Sequence, residues 1–101
     1  MDKRAVLQTV ADRLGISEDV LIRESLLSFL QARKRLLMAE RFELLSRYDV
    51  RSAAELRERI EAGVLPEHPT WEDYIELTNL EDDLKLLEEQ AGTLTLAFSE
   101  T

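Results

Sequence analysis

The chain has 101 residues, a formal net charge of −8, and a high charged fraction of 34%. It contains no cysteine, which excludes disulfide bonds, thiolate zinc sites and cysteine nucleophiles. With only three glycines and two prolines, the composition predicts an all-α protein in which helices pack on helices. The sequence shows no signal-peptide core and no apolar run of membrane-spanning length, so we expect a cytoplasmic protein without membrane contact.

The charge is distributed unevenly along the chain. Residues 1–63 carry 12 Lys/Arg and 11 Asp/Glu, whereas residues 64–101 carry Lys85 alone against 10 acidic side chains. Such asymmetry suggests that the two parts have separate roles. We therefore predict a helical dimerisation module at 1–63 and an acidic partner-binding helix and tail at 64–101. An acidic segment repels nucleic acid and attracts a basic protein surface.

A helical hairpin with a long second helix is predicted at the start of the chain. Residues 3–14 have the spacing of an amphipathic helix, and Gly15 follows where a left-handed residue ends it. Ser17 can cap a second helix from 18 to about 48, which would be roughly 45 Å long. Its apolar side chains occupy more than one stripe, so we expect a homodimer formed through this helix. The residues predicted to make the dimer contacts are Leu26, Phe29, Leu30, Leu37 and Leu44.

A short third helix and a break follow. Ser52 with Glu55 forms a capping pattern that opens a helix to about Ala62. The segment 64–69 contains both prolines, which disfavour helix at the residues before them. This segment is the clearest boundary in the chain.

The last part of the chain is predicted to be an acidic helix followed by a strand. The helix runs from Trp71 to about Gln90, with leucines at heptad-like intervals, and Gly92 is predicted to end it. Apolar residues alternate along 93–98, which indicates a short C-terminal strand. The predicted fold is thus all-α, with a hairpin, two shorter helices and this strand.

The turn between the first two helices resembles the helix pair of ribbon-helix-helix proteins. The residues that carry the resemblance are Leu14-Gly15-Ile16-Ser17 and Leu21-Ile22-Arg23-Glu24-Ser25-Leu26. Proteins of that family are typically dimeric, and many are transcriptional regulators or antitoxins, so the resemblance implies a dimeric scaffold. They read DNA with a strand before the first helix. Only three residues precede the predicted helix here, so no DNA-reading residue is carried over.

Two further resemblances bear on function. Residues 10–24 are similar to a helix-turn-helix motif, with Ala11 and Gly15 at suitable positions, but Glu24 falls where that motif buries an apolar residue. The order of a helical module and then an acidic helix is similar to that of small prokaryotic antitoxins, in which the first part dimerises and the second wraps the toxin. This resemblance implies a non-enzymatic protein that binds and neutralises a basic toxin.

We predict that such a partner contacts the aromatic and acidic side chains of the last helix and the apolar residues of the tail. The predicted partner-binding residues are Trp71, Glu72, Asp73, Tyr74, Glu76, Glu81, Leu94, Leu96 and Phe98. The alternative for Trp71 and Tyr74 is that they close the core behind the two prolines. A self-assembling structural protein without any other partner is a further alternative.

The long helix carries the only concentration of basic side chains, which in a DNA-binding regulator would contact phosphates. These residues are Arg33, Lys34, Arg35 and Arg41. The interpretation favoured by the acidic net charge is a solvated face, or one that pairs with the acidic last helix of the same chain or of a dimer mate.

Metal binding and catalysis are not predicted. His68 with Glu72 and Glu76 could hold a metal ion, but a loop histidine beside an acidic helix face is the favoured interpretation. No serine has a histidine at a recognisable spacing, and no glycine-rich loop could bind phosphate. We therefore predict no cofactor and no enzymatic activity.

Overall fold

The structure is a computed structural model and describes residues 2–99. The described residues form four helices and no strand, which confirms the predicted all-α class. The helices are α1 (Lys3–Leu14), α2 (Glu18–Tyr48), α3 (Ala53–Glu61) and α4 (Thr70–Phe98). Across residues 2–99, none of the helices combines the length and the apolar character needed to cross a membrane.

The observed ends of α1 and α2 agree with the capping signals in the sequence. Gly15 has a φ of 70° and ends α1 in the left-handed conformation that glycine adopts without steric cost. The Ser17 hydroxyl accepts a hydrogen bond from the backbone N–H of Val20 at 3.1 Å and caps α2. Asp49, with a φ of 52°, ends α2 where the sequence predicts.

The predicted end of the last helix was wrong. Residues 93–98 continue α4 instead of forming a strand, and Gly92 lies inside the helix. Leu94 is buried, so helical spacing keeps an apolar side chain on the packed face of α4. This burial offsets the roughly 1 kcal/mol that an interior glycine costs a helix. At 29 residues, α4 is nearly as long as α2, and residues 100 and 101 of the predicted tail lie outside the described residues.

The main pairing in the fold is between α2 and α4, which run antiparallel, whereas α1 packs less extensively, against α2. Arg47 near the end of α2 bonds Asp73 near the start of α4, and Arg41 bonds Glu81 two turns further on. The helix α3 packs against α4 and completes the core. The buried residues of that core are Leu37, Leu44, Val50, Ala53, Leu56, Ile60, Leu77 and Leu80.

The molecule is elongated, and its core fills only one end. The Cα radius of gyration is 19.8 Å and the extents are 61 × 28 × 19 Å, whereas a compact chain of this length has a radius of about 13 Å. All eight residues of that buried cluster lie within 37–85, which we call the core end. Residues 2–36 and 86–98 form the other end, which we call the open end. Most of the exposed large apolar side chains of α1 and α2 lie in the open end.

The predicted dimer contacts divide between these two ends. Leu37 and Leu44 are buried in the core of their own chain, so they have little surface to offer a second copy. Sequence periodicity does not distinguish Leu37 and Leu44 from the other predicted contacts, because it does not show that α4 packs against that stripe of α2. Leu30 is partly buried, while Leu26 and Phe29 remain exposed at the open end.

Candidate partner-binding cleft

A cleft of about 500 Å³ opens at the core end, between the end of α3 and the start of α4. Three of its lining side chains are carboxylates, and one is a tryptophan. The lining residues are Ile60, Glu61, Glu67, His68, Trp71 and Glu72. The cleft therefore combines an apolar aromatic surface with a rim of negative charge.

The cleft exists because the chain reverses direction tightly between α3 and α4. Gly63 has a φ of 75° and its N–H donates to the carbonyl of Ile60 at 3.1 Å. The next N–H, that of Val64, donates to the carbonyl of Arg59 at 3.0 Å. The Trp71 N–H donates to the carbonyl of Glu67 at 2.7 Å, which fixes the loop to the first turn of α4. These bonds bring the end of one helix beside the start of the next.

The aromatic pair at the start of α4 has one covered and one accessible member. The ring centroids of Trp71 and Tyr74 are 5.1 Å apart, with the planes tilted by 32°, a favourable aromatic geometry. Tyr74 packs against the core, as one of the sequence alternatives proposed. Trp71 is 42% exposed and lines the cleft. The indole thus has a surface that a partner can contact.

The carboxylates of the cleft are only lightly neutralised. Glu61 lies 2.8 Å from Arg57, whose pKa it raises through a hydrogen bond, and Glu72 lies 2.9 Å from Nδ1 of His68. Glu67 makes no ion pair within residues 2–99. The whole core end carries 13 acidic and six basic side chains. A cation in the cleft would meet attraction from its lining and from its surroundings.

Other acidic residues of the predicted partner-binding set are already bound within the chain. The carboxylate of Asp73 accepts hydrogen bonds from Arg47 at 3.0 Å and from the Tyr48 hydroxyl. The carboxylate of Glu81 accepts two from Arg41, at 3.0 and 3.1 Å. The acidic helix therefore lies against the basic side chains of α2 in the same chain, one of the two arrangements proposed from the sequence.

The apolar part of the predicted set lies far from the cleft. Leu96 is exposed, but it follows Trp71 by 25 helical residues, a distance of about 37 Å along α4. Leu94 is buried and Phe98 is partly buried. Glu76 is exposed one turn beyond Glu72 and does not line the cleft. Trp71 and the apolar residues of 93–98 therefore cannot share one compact site.

The last two sets of predicted residues are the basic side chains of α2 and the candidate metal ligands. Arg33, Lys34 and Arg35 are exposed on successive positions of α2 and so point in different directions around the helix, while Arg41 is bonded to Glu81. The part of the chain that the structure describes contains no group of three or more metal-ligating side chains.

Sequence reasoning identified Trp71 and Glu72 but missed Ile60, Glu61 and Glu67. The missed residues precede α4, and only the chain reversal brings them beside it. The available signal for that reversal was Gly63, two residues after the end of α3, together with the two prolines that follow it.

The sequence of residues 1–95 matches a family described as Uncharacterized protein MJ0235 family. The chain belongs to the MJ0235 family. No curated protein and no solved structure matches it. The match to the MJ0235 family includes all the residues that line the cleft and most of α4. The family description states no activity and no partner.

Proposed function

We propose that this MJ0235-family protein is a non-enzymatic interaction protein that binds a basic segment of a protein partner in the cleft between α3 and α4. The observation that carries the proposal is an accessible Trp71 beside three carboxylates. The face of an indole attracts lysine and arginine cations, and carboxylates form charge-assisted hydrogen bonds with them. The cleft volume of about 500 Å³ also falls in the range of specific binding sites.

Because these carboxylates are exposed, the partner must present several basic residues and not just one. Each exposed ion pair contributes only about 0.2–1 kcal/mol, so one lysine or arginine would bind weakly. A segment with several basic residues can contact Trp71 and also use the excess of negative charge across the core end. We therefore propose a basic protein segment, and we expect its affinity to fall as salt is added.

The proposal includes an antitoxin-like role, in which the basic partner is a toxin that the protein neutralises. The resemblance of residues 14–30 to ribbon-helix-helix proteins supports this form of the proposal. Co-expression with the product of a neighbouring gene tests it. Rescue of growth by the wild type and loss of rescue by Glu67→Lys are expected. Equal rescue by both would argue against a role of the cleft in neutralisation.

Trp71 makes the binding test direct because it is the only tryptophan in the chain. A hexa-arginine peptide is titrated into the full-length protein at low ionic strength while tryptophan emission is recorded. A saturable change that weakens with added salt is expected, and hexaglutamate should cause none. The absence of a saturable change at low salt would overturn the proposal.

A pair of charge-reversal variants separates the cleft from the overall charge. Glu67→Lys lies in the cleft, whereas Glu89→Lys lies on an exposed position of α4 outside it and changes the net charge equally. We expect Glu67→Lys to weaken hexa-arginine binding at least about fivefold, and Glu89→Lys to weaken it less than about twofold. Equal weakening would show attraction by net charge alone and would contradict a cleft site.

A further inference from the structure

A second opening lies at the open end of the molecule, and it is apolar. It has a volume of about 290 Å³ and lies between the first half of α2 and the last turns of α4. None of its lining side chains is charged. The lining residues are Leu26, Phe29, Leu30, Gln90, Thr93, Leu94 and Ala97. We call this opening the open-end groove.

Exposed apolar side chains continue beyond the groove. Leu26, Phe29 and Leu36 follow one another at intervals of three and seven residues, so they share one stripe of α2. Leu26 is 46% exposed and Phe29 is 67% exposed, although they lie in the middle of a well-formed helix. A helix in a folded protein normally turns such a stripe toward a packed surface. This chain covers the stripe only in part.

The exposed area of the whole chain is larger than that of a compact monomer of the same mass. The accessible surface is 7666 Å², whereas a compact monomer of 11.7 kDa exposes about 5,900 Å². The excess of about 1,800 Å² exceeds the roughly 800 Å² that one partner loses in a standard interface. It falls within the roughly 1,000–2,500 Å² per protomer of obligate homodimers.

The charge distribution indicates which molecule covers the groove. The open end carries seven basic and seven acidic side chains, whereas the core end has seven more acidic than basic ones. Two copies can therefore approach through their open ends without net repulsion, while their core ends repel each other. A basic partner is attracted to the core end instead. A neutral apolar surface on an otherwise acidic chain fits a second copy of the same chain.

We infer that a second copy of this chain docks on the open-end groove, with Phe29 and Leu26 at the centre of the contact and Leu36 extending it. The resulting homodimer buries the apolar stripe of α2 and leaves both core ends outside the interface. This inference does not depend on the proposed function, since the dimer forms whether or not the cleft binds a basic segment.

Two phenylalanines on α2 provide a matched test. Phe29 lies in the groove, whereas Phe42 is 71% exposed and lies thirteen positions further along α2, on nearly the opposite side of the helix. Light scattering after size-exclusion chromatography should give the wild type about twice the chain mass of 11.7 kDa. Phe29→Glu should be monomeric at the same concentration, with helicity unchanged by circular dichroism, and Phe42→Glu should remain dimeric. A monomeric wild type, or equal dissociation of the two variants, would overturn the inference.

Spin labels locate the interface independently of the substitutions in it. The chain has no cysteine, so Thr95→Cys, at an exposed position of the open end outside the groove lining, and Glu58→Cys at the core end each introduce one labelling site. Pulsed electron resonance should give a shorter distance between the two Thr95→Cys labels of a dimer than between the two Glu58→Cys labels. The reverse order would place the contact at the core end and refute docking through the groove.

Discussion

A single carboxylate, that of Glu81, joins three helices. Its Oε2 accepts hydrogen bonds from Nε and Nη2 of Arg41 on α2 at 3.1 and 3.0 Å, and from the N–H of Ala53 at 3.2 Å. Ala53 is the first residue of α3, whose N-terminal N–H groups have no partner inside the helix. Glu81 thus binds both the cation that faces it and the positive end of a neighbouring helix.

Removing this charge should destabilise the fold measurably. We expect Glu81→Gln to lower the free energy of unfolding by about 1–2 kcal/mol, because charge-assisted hydrogen bonds are lost while solvent screens part of the effect. Urea denaturation followed by circular dichroism measures this loss. Asp82→Asn removes the same charge from an exposed neighbouring position and serves as the control. Equal midpoints for the two variants would contradict the role of Glu81.

Tyr48 should make stability depend on alkaline pH. Burial raises the pKa of its hydroxyl above the ordinary value of 10.0, and the hydrogen bond to Asp73 raises it further. The neutral phenol is therefore favoured in the folded state, and its stabilising contribution is complete below pH 10 and is lost as the pH rises through the folded pKa. In Tyr74→Phe, Tyr48 is the only tyrosine, so tyrosinate absorbance reports it alone. A midpoint below 10 in the folded protein would contradict this expectation.

At the scale of the helices, the sequence correctly predicts the features that depend on neighbouring residues, such as helix caps. Gly15 and Ser17 place the turn between α1 and α2 correctly because a helix cap depends on residues within one turn. The continuation of α4 through Gly92 could not be predicted, because it depends on burial of Leu94, which is distant from its neighbours in sequence. The burial of Leu37 could not be predicted for the same reason, because it also depends on residues that are distant in sequence.

Gly92 offers a test of the corrected helix. It lies inside α4, and a Cβ atom at this position would have no heavy atom within 4 Å. Gly92→Ala should therefore raise the free energy of unfolding by about 0.5–1 kcal/mol, since alanine has the higher helix propensity. Gly15→Ala should instead destabilise, because φ is 70° there. Thermal unfolding followed by circular dichroism compares the two, and destabilisation by Gly92→Ala would contradict a helix at this position.

At the scale of the whole molecule, the sequence shows that the last helix is acidic, but it does not show which of its carboxylates are available to a partner. Trp71 and Glu72 could be identified because an aromatic residue and an acid open the last helix. Asp73 also carries a carboxylate, but that carboxylate accepts a hydrogen bond from Arg47 of α2 and is therefore less available to a partner than that of Glu72. Only the antiparallel pairing of α2 and α4 distinguishes the two, and that pairing depends on contacts between residues far apart in the chain.

The cleft and the open-end groove lie at opposite ends of a molecule 61 Å long, so a dimer joined at the groove would carry two separate clefts. Two linked sites make the second binding event intramolecular and slow the release from a surface that presents many ligands. We therefore expect slower dissociation of the wild type from a biosensor surface densely coated with hexa-arginine peptide than from a sparse one. Phe29→Glu should lose this dependence on density while keeping the affinity of a single cleft, and Phe42→Glu should keep both. Density-dependent release by monomeric Phe29→Glu would mean that rebinding, and not two linked clefts, retains the protein at the surface.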